Sequence, residues 1–279
     1  MVSKKVYKKK KRSSAVWEFV GIIALILGIH SLFYQPYTIP SGSMIPTLLV
    51  GDYLFVNKFA YGYSRYSVFF QPKFIRGRIK LGAPKRGEVA VFFHEYRSKS
   101  EESHYDFGIF NGALQRGWRK FREVLMIPSE GVNYVKRVVG LAGDRIQMRG
   151  GLLYINGEPV KEEYVRDYTY SEGGRVFVAK WFEETLPNGK KHPILKMVDY
   201  DYPLANTEEF VVPEGHYFMM GDNRDNSWDS RAINDVGFIA EGKLVGRPDL
   251  IFFSTEARWY EVHKWLFTMR WKRFLKRVV

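Results

Sequence analysis

The chain has 279 residues, enough to bury a sizeable core as one domain or two, and no cysteine, which excludes a disulfide framework and any thiolate site. Its net charge of +13 is confined to the ends: residues 1–12 carry seven Lys/Arg and no acid, residues 258–279 carry seven Lys/Arg and one acid, and the body between them is neutral. Basic ends on a neutral body exclude a phosphate-tracking groove, hence a nucleic-acid binder, and point to anionic lipid surfaces.

Residues 1–15 form the basic N-terminus, and Val16 to Tyr34 follow, rich in Ile, Leu, Phe and Ala. Crossing a bilayer takes about 20 apolar residues, so the sequence predicts a single membrane helix over 16–35. Glu18 and His30 sit near its ends, where polar groups reach the interface. The preceding cations predict a cytoplasmic N-terminus and an exported remainder. A cleaved signal peptide is the competing reading, with Ser41-Gly42-Ser43 as a small-x-small cleavage site. The length of the apolar run and the aromatic belt Phe33, Tyr34 and Tyr37 favour a permanent anchor.

Just beyond the anchor, Pro40-Ser41-Gly42-Ser43-Met44-Ile45-Pro46-Thr47-Leu48 sets two serines around a glycine between two prolines. Proline fixes φ and biases the preceding residue to extended conformations, and glycine clears a side chain where something must approach the backbone. The run predicts a rigid, extended, hydroxyl-bearing element close to the membrane surface.

Short strands punctuated by turns are predicted from there on: Tyr53 to Val56, Glu88 to Phe93, Tyr134 to Val139, His216 to Met220, Gly237 to Ile239 and Leu250 to Phe253. Gly150-Gly151 between Arg145 to Met148 and Leu152 to Ile155 is a hairpin signal, with Asn156-Gly157 a second turn. The body is therefore mainly β, of barrel or sandwich type, with polar, irregular insertions at 97–130 and 161–210. A helical pattern is seen at Leu114 to Val124. The tail at 258–279 mixes aromatic and basic residues on two opposed helical faces. It reads as a kinked or two-part amphipathic helix, on a membrane surface or against the body.

Two further constellations carry chemistry. In Tyr134-Val135-Lys136-Arg137-Val138-Val139-Gly140, strand alternation puts Lys136 and Arg137 on opposite faces, with one cation on a half-buried face. Of the two, only lysine loses its proton when desolvated, so a base here is Lys136. The stretch 221–231, Gly-Asp-Asn-Arg-Asp-Asn-Ser-Trp-Asp-Ser-Arg, is polar or charged at nine of eleven positions. As a calcium loop it fails, since Arg224 falls at a ligand position and neither register supplies the closing Glu. Interleaved Arg224 and Arg231 instead predict an internal ion-pair network. No G-x-S-x-G, H-E-x-x-H, S-x-x-K or Walker loop occurs, and the histidines are scattered singly.

These motifs, together with Arg-Gly-Glu-Val-Ala-Val-Phe at 86–92, stand in the order found in bacterial type I signal peptidases, which the chain resembles over roughly residues 16–250. It departs from the best-known members in having one clear membrane segment and Ala142 where proline is frequent. The resemblance implies a signal-peptidase-like β barrel or sandwich body with inserted β-rich segments, and a serine protease with a Ser/Lys dyad. Ser43 would be the nucleophile and Lys136 the general base. The Ser43 N–H and the Ser41 hydroxyl would form the oxyanion hole. Ser227 would orient Lys136, with Asp222, Asp229 and Arg231 bracing the loop. Thr38, Ile39, Pro40, Tyr134 and Val135 would flank the substrate by strand addition, and Met44 and Leu48 would shape small apolar pockets. No metal or organic cofactor is implied.

The implied organisation is a cytoplasmic segment at 1–15, an anchor at 16–35, an exported catalytic domain at 36–257 and the tail at 258–279. The implied partners are signal peptides of exported preproteins and the lipid of the bacterial cytoplasmic membrane. A specialised Ser/Lys maturation protease of a secretion or conjugation system is the alternative, and a silent membrane-anchored envelope protein is the rival outside enzymes.

Overall fold

Buried and half-buried residues alternate along the strands that frame the molecule, as in Asp52–Asn57, where Asp52, Leu54 and Val56 are fully buried and Tyr53 and Phe55 only partly so. The structure, a computed structural model, describes residues 17–22, 25, 28, 33–68, 75, 77–95, 131–198, 202–257 and 261–279. Residues 17–22 are helical, and the expected membrane span over 16–35 otherwise falls largely outside the described residues. Among the described residues no helix is long and apolar enough to cross a membrane. The helical pattern at Leu114 to Val124 and the insertion at 97–130 also lie outside them.

Seventeen strands are described: β1 (Tyr34–Thr38), β2 (Asp52–Asn57), β3 (Gly62–Ser64), β4 (Arg78–Lys80), β5 (Val89–Glu95), β6 (Gly131–Gly140), β7 (Arg145–Arg149), β8 (Leu152–Ile155), β9 (Glu158–Pro159), β10 (Lys161–Glu172), β11 (Arg175–Thr185), β12 (Lys191–Met197), β13 (Phe210–Val211), β14 (His216–Met220), β15 (Ile239–Ala240), β16 (Leu244–Ser254) and β17 (Lys276–Arg277). The central sheet runs β1-β2-β16-β5-β6-β14-β15, with β17 also on β16. Smaller sheets are β13-β7-β8-β9, β10-β11-β12 and β3-β4. The expected mainly β body is observed.

Two segments are more regular than their composition suggests. Residues 161–197, polar and irregular by composition but within the β-rich insertions that the resemblance implies, form the antiparallel sheet β10-β11-β12. The β10–β11 hairpin closes on Gly173-Gly174, both at positive φ (58° and 78°), the two-residue turn that suits strand twist. The tail forms the short helix α1 (Val262–Thr268), a 3-10 turn at Trp271–Arg273, and then β17. It lies against the body because buried Asp52 pairs with Arg273 and Thr47 O accepts from the same guanidinium at 2.9 Å.

The core falls into packed clusters that meet at the serine turn. One unites Ile39, Met44, Leu48, Leu54, Val56, Val89, Val91 and Ile251 across the central sheet. Another places Ile45 against Tyr170, Ala179 and Leu195 of the β10–β12 sheet. Burying a side chain of this size contributes about 1.5–3 kcal/mol, so Ile45 ties that sheet firmly to the turn beside it.

Candidate active site

Ser43 lies in the 3-10 turn Gly42–Met44, reached directly from β1. The turn closes on itself through Ile45 N donating to Gly42 O at 3.1 Å. Ser41 Oγ stands 3.5 Å from Ser43 Oγ, too far for a strong hydrogen bond. From the loop at 221–231, Asn223 donates its backbone N–H to Ser43 O at 3.1 Å and its Nδ2 to Gly42 O at 3.0 Å. A side chain at Gly42 would push the Glu172 carboxylate from its place beside the turn.

Lys136 projects from the middle of β6 and is 4% exposed. Its Nζ donates to Ser227 Oγ at 2.9 Å, and Ser227 Oγ donates to Asp229 Oδ2 at 2.7 Å. Arg231 holds Asp229 through Nε and Nη2, each at 2.8 Å. Burial pushes the Lys136 pKa down to about 8, with Asp229 opposing the fall and Arg231 adding to it. Burial raises the Asp229 pKa, and Arg231 more than reverses that, keeping the carboxyl below its ordinary value. The lysine thus has lowered basicity beside a fixed hydroxyl.

Alternation on β6 predicts a single half-buried cation, but both are buried. The strand is covered on each face, and Arg137 is fully enclosed. It grips Asp222 through Nε at 2.8 Å and Nη2 at 2.7 Å, while Thr47 Oγ1 donates to the same carboxylate. Opposite charge resolves the cost of enclosing an arginine, and depressed basicity resolves that of enclosing a lysine.

A groove of about 590 Å³ brings these groups together. Its walls include Thr38, Ile39, Pro40, Ser41, Ser43, Met44, Tyr134, Val135, Lys136 and Ser227. Asp222, Asp229 and Arg231 stand behind its wall, and Leu48 lies in the core cluster rather than in the lining. The groove also has two strand edges to offer. β1 is the edge of its sheet, and β6 bonds to β14 only from Arg137 onward, leaving 132–136 with a neighbour on one side. An extended peptide could pair with both.

Sequence reasoning missed Glu172, Tyr202, Asn223 and Asn226 at this site. Tyr202 OH donates to Ser227 O at 2.6 Å, and its ring lies 5.1 Å from the Arg231 guanidinium. Asn223 stood within the polar loop already singled out, but Glu172 and Tyr202 lie in 161–210, where no local pattern marks them.

A buried lysine of lowered basicity, groove-facing serines and open strand edges thus share one groove. Residues 12–253 match the family described as signal peptidase, peptidase S26. The chain is 35% identical over 254 residues to signal peptidase I of Rickettsia akari (strain Hartford), covering 88% of this chain and 81% of that one. It is 36% identical over 260 residues to signal peptidase I of Rickettsia rickettsii (strain Sheila Smith), covering 90% and 84%. A solved signal peptidase I from Enterococcus faecalis V583 is similar at 23% identity, covering 59% of this chain and 96% of that one with a TM-score of 0.28, too low to bear on the fold. The chain belongs to the signal peptidase family, peptidase S26, and is a serine endopeptidase.

Proposed function

We propose that this protein is a membrane-anchored endopeptidase that removes N-terminal signal peptides from exported preproteins, cutting after small residues with a Ser43/Lys136 dyad. The observation that carries this reading is the buried Lys136 ammonium, held by Ser227 on the same groove as Ser43 and depressed to a pKa of about 8. A pKa that low leaves a fraction of Lys136 as the neutral amine near neutral pH, and that form accepts a proton.

Neutral Lys136 takes the Ser43 hydroxyl proton as Oγ adds to the scissile carbonyl, and the Lys136 ammonium then protonates the leaving amine. The carbonyl oxygen becomes an oxyanion facing the Ser43 N–H and the Ser41 hydroxyl. Water, activated by the same lysine, hydrolyses the acyl-enzyme. Ser227 keeps Nζ aimed, and Asp222, Asp229 and Arg231 keep the loop in place. The substrate lies as a strand between Thr38 to Pro40 and Tyr134 to Val135, with Met44 limiting side-chain size and Leu48 backing it from the core.

Residues 1–15 are assigned to the cytoplasm, 16–35 to a single membrane crossing, and 36–257 to the exported side of the bacterial cytoplasmic membrane. Only a few residues separate the anchor from Ser43, which places the dyad at the height where a tethered signal peptide ends and raises its effective concentration. The test is to offer detergent-solubilised protein a preprotein and, separately, a folded envelope protein. The reading predicts a cut in the preprotein alone, after the last small residue of its junction, located by product mass. Cleavage of the folded protein alone would replace it with a maturation protease.

A further inference from the structure

Glu172 faces the groove beside the serine turn, and nothing in the dyad chemistry above uses it. It is the last residue of β10, paired with Arg175 across the Gly173-Gly174 turn, so a hairpin tip carries it there. Its Oε1 accepts the Gly42 N–H, and its Oε2 accepts Asn226 Nδ2 at 2.8 Å. Tyr170, two residues back on the same strand, receives Asn223 Nδ2 on its hydroxyl at 2.8 Å.

These contacts fall on successive peptide planes. Glu172 fixes the plane between Ser41 and Gly42 through its N–H. Asn223 fixes the plane between Gly42 and Ser43 through its C=O, at 3.0 Å. A trans peptide is planar, with N–H and C=O pointing opposite ways. Holding Gly42 O therefore sets where the Ser43 N–H points. Gly42 is the joint between the planes and, as a glycine, rotates readily. Without Glu172 the plane before the joint is released, and the plane carrying the Ser43 N–H is held only through Gly42 O, by Asn223 Nδ2 and Ile45 N.

We propose that Glu172 is a positioning residue for the oxyanion site, freezing the Gly42 joint from a hairpin tip and so aiming the Ser43 N–H at the developing charge. This rests on the assignment of Ser43 as nucleophile and its N–H as oxyanion donor. A loss confined to the transition state should follow, because the ground-state substrate is held by the strand edges instead.

The test measures kcat, KM and affinity for a peptide aldehyde ending in alanine. The aldehyde carbon adds Ser43 Oγ reversibly, its C=O π bond opening so that its oxygen occupies the oxyanion site. Glu172→Asp keeps the charge but withdraws the acceptor by one methylene. Glu172→Gln loses the charge but keeps an oxygen for the Gly42 N–H. Aspartate should lower kcat and aldehyde affinity together by about 10–10²-fold with KM within about threefold, as expected for a misaimed oxyanion donor. Glutamine should stay within about fivefold of wild type in all three. Both variants lie at a hairpin tip outside the core, and thermal melts check that they fold. The proposal is overturned if Glu172→Asp matches wild type, if glutamine falls as far as aspartate, or if KM rises in step with the loss of kcat. Separately, a Ser43→Ala variant that still bound the aldehyde as tightly as wild type would overturn the nucleophile assignment itself.

Discussion

Among the described residues two lysines are almost wholly enclosed, and burial pushes each down to a pKa of about 8. Lys58, just past β2, donates to the carbonyl of Ser67, away from the groove. Lys136 faces the Ser227 hydroxyl within it. Depressed basicity alone does not mark a base; its combination with the groove does. Because the neutral form is the working one, kcat/KM should rise about tenfold per pH unit below 8 and level off above it. A pH series on a junction peptide from pH 6 to 10 measures this, and a limb centred near 6.5 would point to a histidine instead. The linkage has the same sign for stability. The folded value lies below the ordinary 10.5, so the unfolded chain binds more protons between the two, and stability rises with pH across that window. The runs that hold Ser41, Ser43, Lys136 and Ser227 were legible in the sequence because their composition departs from an ordinary turn or strand, while the resemblance implied which serines to single out. Glu172 was not, since its partner Gly42 lies 130 residues away and neither position carries a trace of the other.

The β10–β12 sheet is the element whose composition reads as irregular. Much of β10 stays exposed, and the apolar face that meets Ile45 is assembled from all three strands, Tyr170, Ala179 and Leu195, so no single run announces it. What it supplies is support for the loop at 221–231. Leu195 N donates to Asp222 O at 2.8 Å, and Met197 N to Asp225 Oδ2 at 2.9 Å. Deeper in, Glu184 on β11 holds Arg224 of the loop with both oxygens, at 2.6 and 2.5 Å, with His192 Nε2 3.3 Å away. Burial raises the Glu184 pKa, and Arg224 and His192 more than reverse it, holding the carboxyl well below the usual range. Glu184→Ala leaves Arg224 enclosed without its counter-charge and should destabilise the fold by about 3–5 kcal/mol in urea denaturation. A change under about 1 kcal/mol would show that the pair is incidental to the loop. The central strands, by contrast, were legible. β2, β5, β6, the β7–β8 hairpin and β14 follow from β-branched and aromatic runs bounded by turn residues, needing no distant partner to be recognised.

Across the whole molecule, charge separates into a neutral body and two basic ends, and the tail shows that the division is not a clean one. Arg273 neutralises Asp52 in the core, and Val279 O accepts from Arg137 at 3.1 Å, directly behind the residue that follows Lys136. Lys272, Lys276 and Arg277 stay exposed, as do Phe267, Trp271 and Leu275. Packing of the tail was beyond sequence reasoning because the carboxylate that fixes it sits more than two hundred residues upstream. All of this architecture converges on one chemical claim, that a neutral amine on β6 takes the proton of Ser43. The direct measurement is cleavage of a peptide spanning an Ala-x-Ala junction by solubilised wild type beside Lys136→Arg, with both shown to be folded. The account predicts cleavage after the last alanine by wild type and none by Lys136→Arg, since arginine keeps its proton. Substantial turnover by Lys136→Arg would contradict it and reduce Lys136 to an electrostatic role.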